Sequence, residues 1–173
     1  MAKSPSTKTT GMAAGRYLAL TATQLKALRA MKGDRARRDH VADLVKTRGC
    51  DVLEMGDAWW FVVWLSGNDL KLGKGLHKGQ MTRIEWLDPA KVAACMAKLA
   101  KLDLKKAFFA IDEAKFEYSS VQFWVKRAWQ EEGRTTVLDD HVFGRVKNGA
   151  SKLASFVEAA AEDDKHLVFN VSY

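Results

Sequence analysis

The residues that first suggest chemistry lie between Ser66 and Gln80, where Gly67, Gly73, Gly75 and Gly79 alternate with Lys71, Lys74, His77 and Lys78. Glycine-freed backbone N–H groups flanked by ammonium groups are the ingredients of an anion site. Lys71, Lys74, His77 and Lys78 are therefore the candidate anion-binding residues, with His77 as acid or base if an anionic small molecule is turned over. The spacing departs from known phosphate loops. Five residues rather than four separate Gly67 from Gly73, and Gly75 follows Lys74 where a P-loop needs Ser or Thr for magnesium. The run Gly73 to Gly79 also misses the dinucleotide fingerprint by one residue.

No pair among His40, His77, His141 and His166 stands at a metal-ligand spacing, so no metal and no cofactor is expected. Asp139-Asp140-His141 sets carboxylates beside an imidazole, but sequence neighbours on a helix point in different directions, and an Asp there reads as a helix cap. Cys50 and Cys95 are expected to be reduced; Cys95, within Val92 to Met96, reads as a small packed hydrophobe. With no Gly-x-Ser-x-Gly elbow or His-Glu-x-x-His pair, no catalytic residue is assigned, and the enzyme reading rests on the Lys71 to Lys78 stretch alone.

Charge and aromatic content point instead to binding. The net charge is +7, and residues 1–48 hold eleven Lys or Arg against three Asp, while the remainder is nearly balanced. A basic first third attracts nucleic acid, an anionic membrane or an acidic protein. Arg35, Arg37 and Arg38, with Lys32 and the N-terminal Lys3 and Lys8, are the candidate contacts. Six tryptophans stand at 59, 60, 64, 86, 124 and 129. Most belong in a core, because aromatic rings bury the largest areas. Trp59 and Trp60 cannot face the same way, so Trp59 is expected to line a groove as a partner-binding hot spot.

The elements that must position these residues are α and β in mixture. Residues 1–14, small, polar and basic, read as a flexible tail before a single globular domain over 15–173. A strand over Gly15–Leu20 leads into a helix opened by the capping-box pair Thr21 and Gln24, with Leu25, Leu28 and Met31 inward. Lys32 to Asp39 reads as a charged connection, followed by helical spacing at Val41, Leu44 and Val45 and a stop at Gly49. Ala58 to Leu65 fits either a buried strand or a buried helix. Ser66 to Gln80 reads as a loop or loose hairpin, and Met81 to Trp86 as a strand. Asp88-Pro89 starts a helix with Val92, Met96, Leu99 and Leu102 as its apolar stripe. Further helices are expected over Leu104–Ala114 and Ser151–Ala161, a further segment over Val121–Trp129, and a half-buried strand at Leu167, Phe169 and Val171.

Three stretches carry a family resemblance. Gly11 to Thr21 with Gln24-Leu25, Asp57 to Gly67, and Leu87 to Val92 with the later Leu153 to Ala161 resemble the bacterial YfbM-like family, a domain of unknown function. Departures fall at Trp60, where the family's usual residue is polar, at Lys78-Gly79-Gln80, where a Gly-Gly is reduced, and at a missing aromatic-Pro segment before the last helices. The resemblance implies an α+β fold, with a small mixed or antiparallel sheet packed by several helices, and makes Ala58 to Leu65 helical. It brings no reaction.

The longest apolar run, Ala58 to Leu65, falls far short of the ~20 residues of a membrane span, and Met1 to Ala14 lacks the apolar core of a secretory signal. The cytoplasm is the expected compartment. The leading functional expectation is a non-enzymatic bacterial protein-binding domain, an immunity or antitoxin-like protein that neutralises an acidic toxin or effector. Nucleic-acid binding by the basic third is the first alternative, and an enzyme for an anionic small molecule the second.

Overall fold

The computed structural model describes residues 14–56, 58–67, 74–78, 82–112 and 138–172. Five strands form one antiparallel sheet: β1 (Ala14–Leu20), β2 (Asp51–Gly56), β3 (Lys74–Lys78), β4 (Thr82–Trp86) and β5 (His166–Ser172), in the order β2-β1-β5-β4-β3. Six helices are described: α1 (Ala22–Ala30), α2 (Asp34–Lys46), α3 (Ala58–Leu65), α4 (Pro89–Lys101), α5 (Leu104–Phe109) and α6 (Asp140–Glu162). The fold is α+β, with the sheet between two helical layers.

Strand alternation assigns the layers. On β1 and β5, Tyr17, Ala19, Leu167, Phe169 and Val171 face α3 to α6, and the core there adds Trp59, Trp60, Phe61, Phe108, Val146 and Leu153. Leu18, Leu20, Ile84 and Val168 point the other way, onto Leu25 and Leu28 of α1 and Val41 and Leu44 of α2. Both faces of β5 are therefore buried. The sequence reading of this segment as half-buried is corrected, because β5 pairs on both edges and is covered on both faces.

Two glycines let the thicker layer close. A Cβ on Gly15 would overlap Trp59 Cγ, so the indole lies directly on the β1 backbone. A Cβ on Gly149 would lie 3.2 Å from Met55 Cε and 3.3 Å from Ala58 Cβ, where α6 crosses α3 and β2. These are close-approach positions rather than turn positions.

Several boundaries differ from the sequence reading. Helix α2 starts at Asp34, so Arg35, Arg37 and Arg38 are helical rather than part of a connection; Gly33, at φ 91°, makes the break instead. Strand β2 gave no sequence signal, its burial following no regular alternation. The glycine-rich stretch holds a true edge strand, β3, with a register irregularity between Gly75 and His77. Segment Ala58–Leu65 is helical, and its residues from Ala58 to Val63 are all buried; a helix apolar on every side carries no amphipathic period to read. Helix α5 stops at Phe109, and α6 begins eleven residues before the expected Ser151. Segment Val121–Trp129, with Trp124 and Trp129, lies outside the described residues, as do 1–13.

Candidate partner-binding surface

The surface that gathers most of the predicted contact residues is the outer side of the α1–α2 layer. Thr21 Oγ1 accepts from Gln24 N at 3.2 Å while Gln24 Oε1 accepts from Thr21 N at 2.9 Å, the reciprocal cap read from sequence. Gln24 Nε2 also donates to Gly49 O at 2.6 Å, tying the start of α1 to the end of the connection after α2. Arg48, at φ 54°, and Gly49 turn the chain from α2 into β2. The hairpin is thus pinned at both ends, and Leu25, Leu28, Val41 and Leu44 hold its inner side to the sheet.

The three arginines are not equivalent. Arg37 stands four and seven residues before Val41 and Leu44, on the inward stripe, and is half-buried. Arg35 and Arg38, three apart, are exposed. Arg35 Nε lies 3.6 Å from Asp39 Oδ2, with both side chains largely in water, so the pair is worth little and leaves the guanidinium available to a competing carboxylate or phosphate. Lys32 is exposed beside them.

Sequence reasoning missed Lys26 and Arg29, which extend the basic surface onto α1. Both are exposed, and Arg29 sets its guanidinium 5.8 Å from the Trp86 ring centroid. The signal was present: Lys26 and Arg29 follow Leu25 and Leu28 by one residue each, which turns them about 100° off the buried stripe.

Trp59 is corrected as a contact. It is 3% exposed, packed on Gly15 and on Phe169 at 5.4 Å between ring centroids, and belongs to the core. Trp60 and Trp64 do share a face, stacked at 5.3 Å, with Trp60 buried and Trp64 half-buried. The exposed large hydrophobic among the described residues is Phe109, at 42%.

The anion-binding residues fare differently. Lys74, His77 and Lys78 lie on β3, opposite Trp86, Ile84 and Arg83 of β4, so that of the expected loop or loose hairpin it is the hairpin that forms, and Lys71 lies outside the described residues. No group of three or more His, Cys, Asp or Glu able to hold a metal occurs among the described residues. Asp139 caps α6, its Oδ1 accepting from Val142 N at 2.8 Å, as the sequence suggests, and His141 is exposed in the first turn. Burial, with Asp51 adding to it, pushes the Cys50 thiol up and away from the reactive thiolate, and Cys95 is buried in α4.

Three buried groups meet on the other side of the sheet. Tyr17 and Glu85 flank Phe169 in one row across β1, β5 and β4, and Cys95 comes down from α4. Burial raises the Tyr17 phenol above its usual range, with Cys95 and Glu85 adding to the shift. At neutral pH it is a neutral hydroxyl, and its oxygen has no hydrogen-bond partner among the described residues. This arrangement offers no access to a substrate.

No helix among the described residues is long and apolar enough to cross a membrane. The family model described as Domain of unknown function (DUF1877) matches residues 11–170. No curated protein matches. Among solved structures the chain is similar to YfbM from Escherichia coli, described as a protein of unknown function, at 16% identity and a TM-score of 0.59. The alignment covers 91% of this chain and 99% of that one. At that identity the likeness concerns the fold alone.

Proposed function

The chain belongs to the DUF1877 family, and from that premise we propose that it is a non-enzymatic binding protein of the bacterial cytoplasm whose α1–α2 layer docks an acidic protein, as immunity or antitoxin-like proteins do. One observation carries the reading: Lys26, Arg29, Lys32, Arg35 and Arg38 are all exposed on a single helical hairpin pinned to the sheet. A basic surface on a rigid support favours a complementary acidic partner and speeds its capture. Burial and the neighbouring Asp51 hold the Cys50 thiol above its usual range, away from the reactive thiolate.

The test is affinity capture from the native host at low salt, using the tagged protein and an Arg35→Glu, Arg38→Glu variant. The wild type should retain an acidic protein that the variant loses, while both melt at the same temperature, since both positions face water. Recovery of the bait alone would end the proposal. Anisotropy with labelled DNA and RNA at ~50 and ~200 mM salt separates the nucleic-acid alternative, whose phosphate contacts would weaken by orders of magnitude over that range.

A further inference from the structure

The basic hairpin is not uniform along its length. Helix α1 holds Lys26 and Arg29 and no acidic residue, whereas on α2 Asp34, Asp39 and Asp43 interleave with Arg35, Arg37 and Arg38. Asp39 already engages Arg35 across one turn. Unopposed positive charge therefore lies on α1 and at Lys32, where a partner carboxylate displaces none of the chain's own. Within that end Arg29 is the side chain with a support. It follows Leu28, which is fully buried and fixes the helix at that point, and its guanidinium carbon lies 5.8 Å from the centroid of the Trp86 ring. Trp86 is half-buried against the aliphatic core under α1–α2, on a strand paired along both edges. A ring fixed by the sheet thus backs one side of an exposed arginine.

Among the described residues Arg29 makes no ion pair and no side-chain hydrogen bond, so its N–H donors are open to a partner. A stacked guanidinium has given up part of its rotamer freedom before binding, whereas Lys26, Lys32 and Arg38 are exposed without a ring contact among those residues and must be ordered by the partner. We propose that Arg29, positioned by Trp86, is the anchor of the basic surface and donates a bidentate pair of hydrogen bonds to one Asp or Glu carboxylate of the partner, while Lys26, Lys32, Arg35 and Arg38 steer the acidic surface toward it. The inference rests on the reading of the hairpin as a docking surface for an acidic protein, and adds the group recognised and the residue that recognises it. The planar fork of an arginine matches a planar carboxylate; an ammonium in its place supplies the charge without the paired geometry. A carboxylate is favoured over single-stranded nucleic acid because Arg29 occupies a face of the ring on which a base would stack.

The probe is a fluorescein-labelled oligoglutamate peptide of about twelve residues, followed by anisotropy and stopped flow at ~50 mM salt, with an oligothymidylate of the same length as its phosphate counterpart. Arg29→Lys keeps the charge at an exposed position; it should leave association unchanged and speed dissociation at least about fivefold. Arg35→Lys should change affinity by less than about twofold. Trp86→Leu should weaken the peptide about two- to fivefold, and Trp86→Phe should recover most of that loss. Neither should matter once Arg29 is replaced by alanine, a non-additivity that a Trp86 serving only the fold would not give. Should Trp86→Leu misfold, side-chain NMR of the wild type takes its place: the Arg29 Nε–H should lie upfield of those of Arg35 and Arg38 through the ring current, and should move most when peptide is added. Equal losses from Arg29→Lys and Arg35→Lys overturn the anchor and leave the hairpin standing as a docking surface. Additive losses in the cycle, or an Arg29 Nε–H that peptide leaves unmoved, overturn the proposal in the same way. No peptide binding by about 1 mM ends the docking reading and this inference together. Tighter binding of the oligothymidylate, weakened by Arg29→Lys, overturns the carboxylate in favour of nucleic acid.

Discussion

The two helical layers bury opposite faces of the same strands with different chemistry. Toward α3–α6 the core is aromatic, built on Tyr17, Trp59, Trp60, Phe61, Phe108 and Phe169, and rings touch in sequence from Trp59 to Phe169 to Tyr17. Toward α1–α2 it is aliphatic, built on Leu18, Leu20, Leu25, Leu28, Val41, Leu44, Ile84 and Val168. The aromatic layer holds more buried area and a longer helix, so it carries most of the stability. The thinner layer needs only one stripe per helix, which leaves its outer side free to carry charge. A protein that concentrates its stability on one side of a sheet can vary the other surface at little cost to folding.

The largest test of this contrast is Trp59→Ala. As a core residue between Gly15 and Phe169, Trp59 should match Trp60, each costing ~3–5 kcal/mol in urea melts. A loss under 1 kcal/mol at Trp59 alone would restore it as a surface contact. Leu28→Ala, fully buried in the thinner layer, should cost less, ~2–3 kcal/mol, with hydrogen exchange quickened chiefly in α1 and α2. Exchange that instead rises evenly through α6 would mean that the two layers unfold as one unit.

Tyr17 supplies a pH signature of the aromatic layer. Its folded pKa is raised above the unfolded value near 10, so the stability it lends is fully present below about pH 10 and is lost as pH rises beyond that. The expected slope is about 1.4 kcal/mol per pH unit above 10. Tyr17→Phe should flatten that alkaline limb and change neutral stability little, since the hydroxyl has no hydrogen-bond partner among the described residues. An unchanged limb would assign the alkaline loss to other groups. The smallest expected effect is Thr21→Ala, which removes the cap joining β1 to α1 and should cost ~1 kcal/mol, read as a melting shift rescued by Ser.

Local chemistry made part of this fold legible in the sequence. The Thr21–Gln24 box, the Asp88-Pro89 start and the Asp139 cap were readable because each satisfies backbone donors within four residues, and the periodic stripes of α1, α4 and α6 show which side is inward. The basic first third was likewise plain from composition. Tertiary structure decided what depends on partners distant in the chain. Trp59 is core because Gly15, forty-four residues earlier, leaves room for its ring; α3 is a helix although its residues favour a strand; and β5 is central because β1, from the start of the chain, and β4, from its middle, pair with its two edges. The separation of Arg35 and Arg38 from Arg37 arises from packing, since burial is a property of what the rest of the chain brings alongside a residue.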